Sequence, residues 1–428
     1  MSVEIAHPLP TQAQEAVTAE TRSTPLRVAY VMSRFPKLTE TFVLDEILEH
    51  ERNGVCIEVF PLWREKTEIT HAEARPIVER AHFTPTLNLE ILRDNLRCFV
   101  KAPLVYLGTL ATLLRANIRS ARFLIAALAV FPKACSFAVR MQTLGVQHVH
   151  AHFASHPAVA AFIVGRLSGI PWSFTAHGSD LHREQSMLQE KVEEASFVIA
   201  ISDYNRRFIL DRVGERFAEK VRVIHCGIDP RCYAQNHSAD EILEIACVGT
   251  LHEVKGQRFL LEACGRLSAR GLEWRCHLIG DGPDRGALEA YAEKLGISDR
   301  VIFHGNCERE RVRALLSTMK VCVAPSVPTS DGRREGIPVV LMEAAACSLP
   351  LVASRLSGIP ELVRDGETGL LVEPANVADL ESALARMAAE PETRAHLGTA
   401  ALQRLELDFN LERNVGALRQ QILAGVSP

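Results

Sequence analysis

The chain has 428 residues, of which 47% are hydrophobic and 23% charged, a globular composition with room for two or three domains. A formal net charge of −4 argues against wholesale binding of nucleic acid, while it is compatible with a local basic patch. The eleven cysteines are scattered singly, without a C-x-x-C pair or a Cys/His cluster at zinc spacing. We therefore expect reduced, mostly buried thiols in a cytoplasmic protein.

The first 25 residues are polar and lack the cationic start and the apolar core of a signal peptide. They are predicted to form a disordered tail. The longest uncharged stretch near the middle, residues 102–114, is shorter than the ~20 apolar residues that a membrane-spanning helix needs. We therefore expect no membrane span.

From Leu26 onwards, the pattern alternates between strands and helices. The apolar run 26–33 predicts a buried parallel strand, residues 41–52 have helical spacing, and residues 55–61 predict the next strand. Residues 88–140 differ, because their apolar residues recur at helical spacing.

Two or three helices, broken near Pro103 and Pro132, are predicted in this segment. Between Arg93 and Arg140 lie eight basic residues and one acid, Asp94. This excess fits docking on an anionic membrane surface, and it fits a helix pair packed on the domain with solvated arginines equally well.

Two series of strand-like runs fill the remainder of the chain. The runs are 148–153, 172–175, 197–201 and 221–225, and then 245–248, 275–279, 301–303, 321–324, 349–353 and 370–372. With helices between them, they predict two doubly wound α/β domains and not one large sheet. The domains would cover residues 26–235, with the helical insertion at 88–140, and residues 236–408, with a linker near 228–243. Residues 409–428 would form a last helix.

The segment EGIPVVLMEA at residues 335–344 places Glu335 and Glu343 eight positions apart. Gly336 and Pro338 suit an open helix N-terminus, whose free N–H groups bind oxygen atoms. Two helical turns rise ~11–12 Å, so one carboxylate would reach a sugar while the other reaches a ribose. Taken alone, the pattern also fits an ordinary amphipathic helix with exposed acids.

Five segments occur in an order that resembles one known family. They are GTLHEVKG at 249–256, LIGDGP at 278–283, EGIPVVLMEA at 335–344, GIPELV at 358–363 and DGETGLLV at 365–372. Together they resemble the donor domain of glycosyltransferase family 4, a retaining family with the GT-B fold of two Rossmann-like domains facing across a cleft. SRFPKLTETF at 33–42, HAHFA at 150–154 and AHGSD at 176–180 resemble the branch that makes exopolysaccharides such as colanic acid.

The resemblance implies transfer of a hexose-type sugar, with retained configuration, from a UDP- or GDP-sugar to a glycan or polyprenyl-linked acceptor. It implies no metal and no cofactor, since the nucleotide sugar is a substrate. The implied catalytic residues are Glu335, His177 and Lys255: the first holds the sugar with Gly336, Ile337 and Pro338, the second faces it from the opposite wall, and the third pairs with the diphosphate. Glu343 would bind the ribose, and the last helix, about 410–424, would cross back to the first domain.

Elementary chemistry supports the role of Lys255, because an ammonium stabilises the charge that develops on a leaving phosphate oxygen. Relatives of this type carry an arginine directly after the strand glycine, Gly249, whereas this chain has Thr250. A second cation must therefore come from elsewhere, with Arg258 or a helix N-terminus as candidates.

Two further segments are predicted to lie beside the nucleotide. Gly280 and Gly282 lack the complete dinucleotide-binding spacing and therefore indicate a tight turn after a strand. Asn306 and Cys307, at the end of another strand, would lie beside the base, although a plain loop accounts for them equally well.

On the acceptor side, the candidates are Arg34, Lys37, Glu40, Asp180 and Arg206, all of which also fit ordinary surface charge. His150 and His152 alternate on a strand without acids at ligand spacing, so a structural role is favoured over a metal site. Two other function classes stay open: a sugar-nucleotide epimerase or phosphorylase on the same fold, and a non-catalytic protein that binds a nucleotide sugar.

Overall fold

The computed structural model describes residues 25–37, 40–65, 72–85, 88–118, 120–182, 185–234 and 242–426. All of the predicted tail except Pro25 lies outside these residues, as do the middle of the predicted linker and Arg119. Within them, the chain forms two separate six-stranded sheets in which every strand pair is parallel. The two doubly wound domains predicted from the sequence are therefore present.

The first sheet has the strand order β2-β1-β3-β4-β5-β6. Its strands are β1 Arg27–Phe35, β2 Cys56–Arg64, β3 His148–His152, β4 Trp172–Ala176, β5 Phe197–Ala200 and β6 Val221–Val223. The connecting helices are α1 Thr41–Arg52, α2 Arg75–Arg80, α3 Leu89–Lys101, α4 Pro103–Asn117, α5 Ala121–Leu144, α6 His156–Ser168, α7 Ser179–His182, α8 Leu188–Glu194 and α9 Asp203–Val213. The three central strands β3, β4 and β5 are buried along their whole length, because helices cover both faces of the sheet.

The predicted insertion consists of α3, α4 and α5. A break occurs at Pro103, which is the first residue of α4. The break predicted at Pro132 is wrong, because Pro132 lies inside α5, a continuous helix of 24 residues. The side-chain amide of Asn95 donates to the carbonyl of Pro132 at 2.9 Å and so ties α3 to α5. Phe131 and Phe137 anchor α5 in the core of the first domain.

Among the described helices, α5 alone is long and apolar enough to cross a membrane, and half of that stretch is buried in the protein. Such burial is typical of the core helix of a globular domain. The pair α3 and α4 passes the same test of length and composition when taken together, but its axes are bent by 112°.

The second sheet has the order β12-β11-β10-β7-β8-β9. Its strands are β7 Leu243–Val248, β8 Trp274–Ile279, β9 Val301–Gly305, β10 Val321–Ala324, β11 Leu351–Ser354 and β12 Gly369–Val372. The helices are α10 Gln257–Ala269, α11 Arg285–Lys294, α12 Arg309–Leu316, α13 Val339–Ala346, α14 Ile359–Leu362, α15 Val377–Ala389 and α16 Pro391–Asp408. Helix α17, Leu411–Val426, then leaves this domain and packs Leu418 and Ile422 into the core of the first domain.

Two histidines of the first domain, His50 on α1 and His148 on β3, are wholly buried. Neither ring nitrogen of His50 has a hydrogen-bond partner, and His148 has one partner, Ser173 Oγ, at 2.7 Å. Burial, partly offset by Glu46, lowers the pKa of His50 from 6.5 to about 4, and burial lowers that of His148 to about 3. Both rings are therefore neutral in the folded protein near pH 7.

Acid should destabilise the fold through His50. Below pH 6.5 the unfolded chain binds a proton at this residue, whereas the folded chain does so only near pH 4, so the free energy of unfolding falls as the pH drops through this window. We predict that, between pH 7 and pH 5, the free energy of unfolding of His50→Leu falls by about 2 kcal/mol less than that of the wild type, measured by urea unfolding. The exposed His396 on α16, changed to leucine, is the control. Equal acid sensitivity of wild type and His50→Leu contradicts the prediction.

Candidate active site

A cleft of about 760 Å³ lies between the carboxyl ends of the two sheets. This volume lies in the range of small-molecule sites, and in open α/β sheets ligands bind at this edge. Its walls come from the loops that follow β1 and β4 in the first domain and β7, β8, β9 and β10 in the second.

The three residues predicted to meet one nucleotide sugar all line this cleft. Lys255 Nζ lies 2.9 Å from Glu335 Oε2, in an ion pair whose side chains are about one-fifth exposed. Glu343, on α13, is buried, and its Oε1 accepts a hydrogen bond from the Tyr233 hydroxyl at 3.0 Å. Burial, partly offset by nearby Arg309, raises the pKa of Glu343.

Lys255 reaches the cleft because of the glycine at the end of β7. Gly249 has a φ of 146°, and a Cβ at this position would lie 3.0 Å from Lys255 Cε. The lysine side chain therefore crosses the bare backbone of Gly249 on its way to Glu335. A larger residue would displace it.

The neighbouring nucleotide-side candidates divide into two groups. Gly280, Asn306 and Cys307 line the cleft beside Thr250. Gly282 lies outside the residues that line it, and a Cβ there would meet the carbonyl oxygen of Leu251 at 2.3 Å. Gly282 therefore serves close backbone packing behind the site, and its predicted contact with the donor is not supported.

Arg258, one candidate for the second cation, is not among the residues that line the cleft. Its guanidinium stacks on the Tyr291 ring at 5.1 Å, on the exposed side of α10. Arg333 and Arg334 line the cleft instead, two residues and one residue before Glu335. Arg333 Nη1 lies 3.1 Å from His252 Nε2, which places it near the start of the turn that carries Lys255. Two adjacent arginines directly before Glu335 indicated in the sequence that cations are available here, but they were not among the residues predicted for the site.

His177 follows β4 and forms part of the opposite wall. Its Nε2 lies 3.3 Å from His152 Nδ1, and His152 Nε2 lies 3.2 Å from Glu46 Oε1. The Tyr30 hydroxyl donates to the same carboxylate oxygen at 2.6 Å. A series of close polar contacts therefore extends from the cleft into the core of the first domain, in which His152 Nε2 is near Glu46 without an aligned hydrogen bond.

Burial is the main influence on the protonation of His177. Burial, together with His152, lowers the pKa of His177 well below its usual value, so the imidazole is neutral. Burial would raise the pKa of Glu46, but the combined effect of the neighbouring histidines, His152 foremost, outweighs it and holds the pKa well below its usual range. Glu46 faces His152 Nε2, and His152 Nδ1 faces His177 Nε2, so the proton held between the two rings determines which nitrogen of His177 is protonated. His177 Nδ1 has the Cys226 thiol, a weak donor, 4.0 Å away.

Glu46 also supplies the acid that the sequence did not place beside His150 and His152. In the described part of the chain, these three residues form the one group whose donor atoms are close enough for a shared metal ion, all within 4.8 Å. However, the ring nitrogens of His150 lie 2.8 Å from Ser173 Oγ and 2.9 Å from Thr175 Oγ1. A metal ion would have to displace these contacts, so the geometry favours a hydrogen-bonded cluster.

The acceptor-side candidates are only partly in the cleft. Lys37 and Glu40 line it and form an ion pair of 2.5 Å with each other. Asp180 also lines it, but its carboxylate accepts backbone N–H groups of Ala154 at 2.7 Å and of Gly178 at 2.6 Å, so it braces two loops.

Arg34 and Arg206 lie outside the cleft-lining residues, so the structure does not support their predicted acceptor role. Arg34 faces solvent and pairs with Glu65 at 3.6 Å. Arg206 donates to the carbonyls of Val221 and Ala218 at 2.9 and 3.1 Å, where it ties α9 to the chain around β6.

Polar contacts across the cleft hold the domains together. Arg309, on α12, forms a buried two-pronged ion pair with Asp45 on α1. Glu361, on α14, accepts the N–H groups of Asp203 and Tyr204 at the start of α9, at 3.0 and 3.1 Å, and pairs with His225. These pairs join residues more than 130 positions apart, and sequence spacing gave no sign of them.

Comparisons with known proteins agree with this architecture. The model of "Glycosyl transferases group 1" matches residues 234–404, and that of "Glycosyltransferase Family 4" matches residues 109–231. A Salmonella typhimurium protein named for colanic acid biosynthesis, WcaL, is 29% identical over 93% of this chain and 100% of its own length.

Two further relatives extend this agreement. Bacillus subtilis EpsF, also named as a glycosyltransferase, is 31% identical over 63% of this chain and 73% of its own. The crystal structure of HepE from Anabaena in complex with UDP superposes with a TM-score of 0.69 at 18% identity, over 93% of this chain and 100% of HepE. The chain therefore belongs to the family 4, group 1 glycosyltransferases and has their GT-B fold.

Proposed function

We propose that this glycosyltransferase moves a hexose-type sugar, with retained configuration and without a metal ion, from a UDP- or GDP-sugar to a glycan or polyprenyl-linked acceptor of exopolysaccharide biosynthesis. The observation that carries the proposal is the convergence of Lys255, Glu335 and Glu343 on one cleft at the carboxyl ends of both sheets. The name of WcaL supports the polysaccharide pathway, and HepE structures with UDP and with UDP-glucose support the donor class. The reaction would take place at the cytoplasmic face of a membrane.

The donor diphosphate would bind at Lys255 and Arg333. Breaking the bond between sugar and phosphate leaves negative charge on the phosphate oxygen, and cations placed there beforehand stabilise that charge. Before the donor arrives, Glu335 neutralises Lys255 at 2.9 Å. The arriving diphosphate would take over the ammonium and free the carboxylate of Glu335 to accept sugar hydroxyls.

The transferred sugar would lie between Glu335 and His177. The backbone N–H groups of Gly336 and Ile337, ahead of α13, add donors for its hydroxyls. His177 Nδ1 accepts one hydroxyl from the opposite wall and stays neutral, so it orients the sugar without adding charge. The incoming acceptor hydroxyl would enter on the face that the diphosphate leaves. No step uses a carboxylate as nucleophile, so the two-carboxylate scheme of glycosidases does not apply.

The ribose would bind at Glu343, where a carboxylate accepts two adjacent hydroxyls. We predict that Glu343→Gln weakens donor binding roughly tenfold to a hundredfold, because hydrogen bonds to a charged acceptor are stronger than those to an amide. Isothermal calorimetry with a panel of UDP-, GDP- and ADP-sugars measures this change. Glu367→Gln, at an exposed glutamate, is the control. Unchanged affinity in Glu343→Gln removes the ribose assignment.

The side chain of Glu335 should be more important for turnover than for folding. Glu335→Gln is expected to lower kcat at least a hundredfold in a radiolabelled transfer assay, with thermal unfolding close to wild type, since the side chain lies in an open cleft. Products formed without acceptor separate the other function classes, because an epimerase needs no acceptor and a nucleotide-sugar-binding protein gives no turnover. Wild-type kcat in Glu335→Gln would sink the assigned role.

Glu46 should act on the reaction through His177, which it does not touch. We predict that Glu46→Gln lowers kcat about tenfold while the donor Kd stays within twofold, because the amide no longer dictates the tautomer of His152. In 15N-histidine spectra, His177 should change from one tautomer to a mixture. The control is Glu49→Gln, which lies on the same helix but is not part of the contacts that link Glu46 to His177. A lower kcat with an unchanged His177 tautomer would point to a merely structural defect.

Transfer should not need a metal ion, because the proposed charge stabilisation comes from Lys255 and Arg333 alone. We predict that dialysis against EDTA leaves kcat within twofold of the untreated enzyme. Addition of Mg²⁺ or Mn²⁺ to the dialysed enzyme is the companion measurement. Loss of turnover on chelation that either ion restores contradicts this part of the proposal.

A further inference from the structure

The described residues expose large hydrophobic side chains mainly in one segment of the first domain. Twelve of the sixteen exposed residues of this kind lie between positions 89 and 128, on α3, α4, the turn after α4 and the start of α5. Leu89 and Leu104 are each 84% exposed, Ile118 is 72% exposed and Val100 is 71% exposed. Isolated exposed leucines are ordinary on protein surfaces, but this concentration marks an interaction surface.

Helix α3 carries an apolar stripe beside a cationic stripe. Leu92, Leu96 and Val100 recur every four residues and are exposed. The residue after each of them is basic and exposed: Arg93, Arg97 and Lys101. Residues four apart stack along one face of a helix, so the two stripes run side by side.

The inner face of α3 is bonded to the protein, which fixes the stripes outward. Asp94 is buried and accepts a hydrogen bond from Ser136 Oγ at 2.6 Å, and the Cys98 thiol lies 3.6 Å from the Cys135 carbonyl. Both partners belong to α5. Rotation that would bury Leu92 or Leu96 therefore breaks polar bonds inside the domain.

Helix α4 continues the apolar surface after the 112° bend. Leu104, Leu107, Ala111 and Leu114 lie along α4 at spacings of three and four residues, and all are exposed. Its opposite face buries Thr109, Leu113 and Asn117. The outer face of α4 is therefore apolar, with Arg115 as its one exposed charge in the described part of the helix.

The charge of this surface indicates which kind of partner binds to it. Glu90 is the one exposed acid among the described residues of α3 and α4, against the exposed cations Arg93, Arg97, Lys101 and Arg115. Lys133, part of the basic count in the sequence, does not contribute, since it is buried and donates to the Leu62 carbonyl at 2.5 Å. A two-fold contact with a second copy would bring the same cationic stripes of both copies together. An anionic surface complements them.

We propose that the outer face of α3 and α4, called here the α3–α4 surface, docks the protein on an anionic lipid bilayer, with its leucines in the interface and its arginines at the head groups. An apolar face bordered by lysines and arginines is the arrangement that binds such interfaces. Its purpose rests on the proposed function, because docking brings the cleft to a lipid-linked acceptor. The docking itself requires no donor.

Vesicle flotation of the full chain tests this surface. The protein should float with vesicles of phosphatidylcholine containing 30% phosphatidylglycerol, float poorly with phosphatidylcholine alone, and lose binding as salt rises. The triple variant Leu96→Ser, Leu104→Ser, Leu107→Ser and the double variant Arg93→Ser, Arg97→Ser should each bind at least tenfold more weakly. The controls are Leu407→Ser and the double variant Arg266→Ser, Arg270→Ser, which change exposed residues of the second domain.

Three outcomes would overturn the docking surface: wild-type protein that does not float, variants that float as well as wild type, or a wild-type dimer in sedimentation that the triple variant dissociates. Donor binding, measured by calorimetry with UDP- and GDP-sugars, should be the same in wild type and in both variants. This separates the two proposals. Loss of flotation with intact donor binding concerns only the surface, whereas flotation without any donor binding contradicts only the proposed transfer reaction.

Discussion

The contact between Gly178 and Gly336 is the constraint on which the whole site depends. A Cβ at Gly178 would lie 3.3 Å from the backbone nitrogen of Gly336, and a Cβ at Gly336 would lie 3.1 Å from the carbonyl oxygen of His177. Two bare backbones therefore touch across the cleft. Each glycine is the neighbour of a candidate catalytic residue, so their contact sets the distance between His177 on one wall and Glu335 on the other. The Asp45–Arg309 pair and the Glu361 cap hold the domains around this point.

The ion pair of Lys255 and Glu335 gives the empty cleft a defined charge balance. The carboxylate of Glu335, 2.9 Å away, neutralises the Lys255 ammonium, and in the proposed mechanism a diphosphate would take its place. In the proposed mechanism, Arg333 would supply the second cation expected near Thr250. Arg333 enters the cleft from the loop that also carries Glu335, so one segment would supply both this cation and the carboxylate for the sugar.

The sequence predicted those parts of the site that depend on chain order within one sheet. Lys255 and His177 each follow an apolar strand, and the carboxyl ends of parallel strands share one edge of a sheet, so the position of each at the edge of its own sheet was foreseeable. Contacts between distant segments were not: Glu46 and His152 are far apart in sequence, as are Asp45 and Arg309. Pro132 misled because tertiary packing holds α5 continuous through it. Arg206 and Gly282 misled because a position shortly after the end of a strand does not establish that the residue faces the cleft.

The α3–α4 surface and the cleft are joined by a short path through the first domain. The Arg166 side chain on α6 donates to Thr112 on α4 at 3.0 Å, and α6 begins directly after Phe153 and Ser155, which line the cleft. A bilayer bound to α4 would therefore hold the His177 wall in place. The second domain carries the proposed donor residues, and it contacts the first through the glycine pair and a few polar bonds, with helix α17 crossing back into the core of the first domain. In the proposed arrangement, docking through the first domain alone would leave the second domain free to open for donor exchange while the acceptor stays at the membrane.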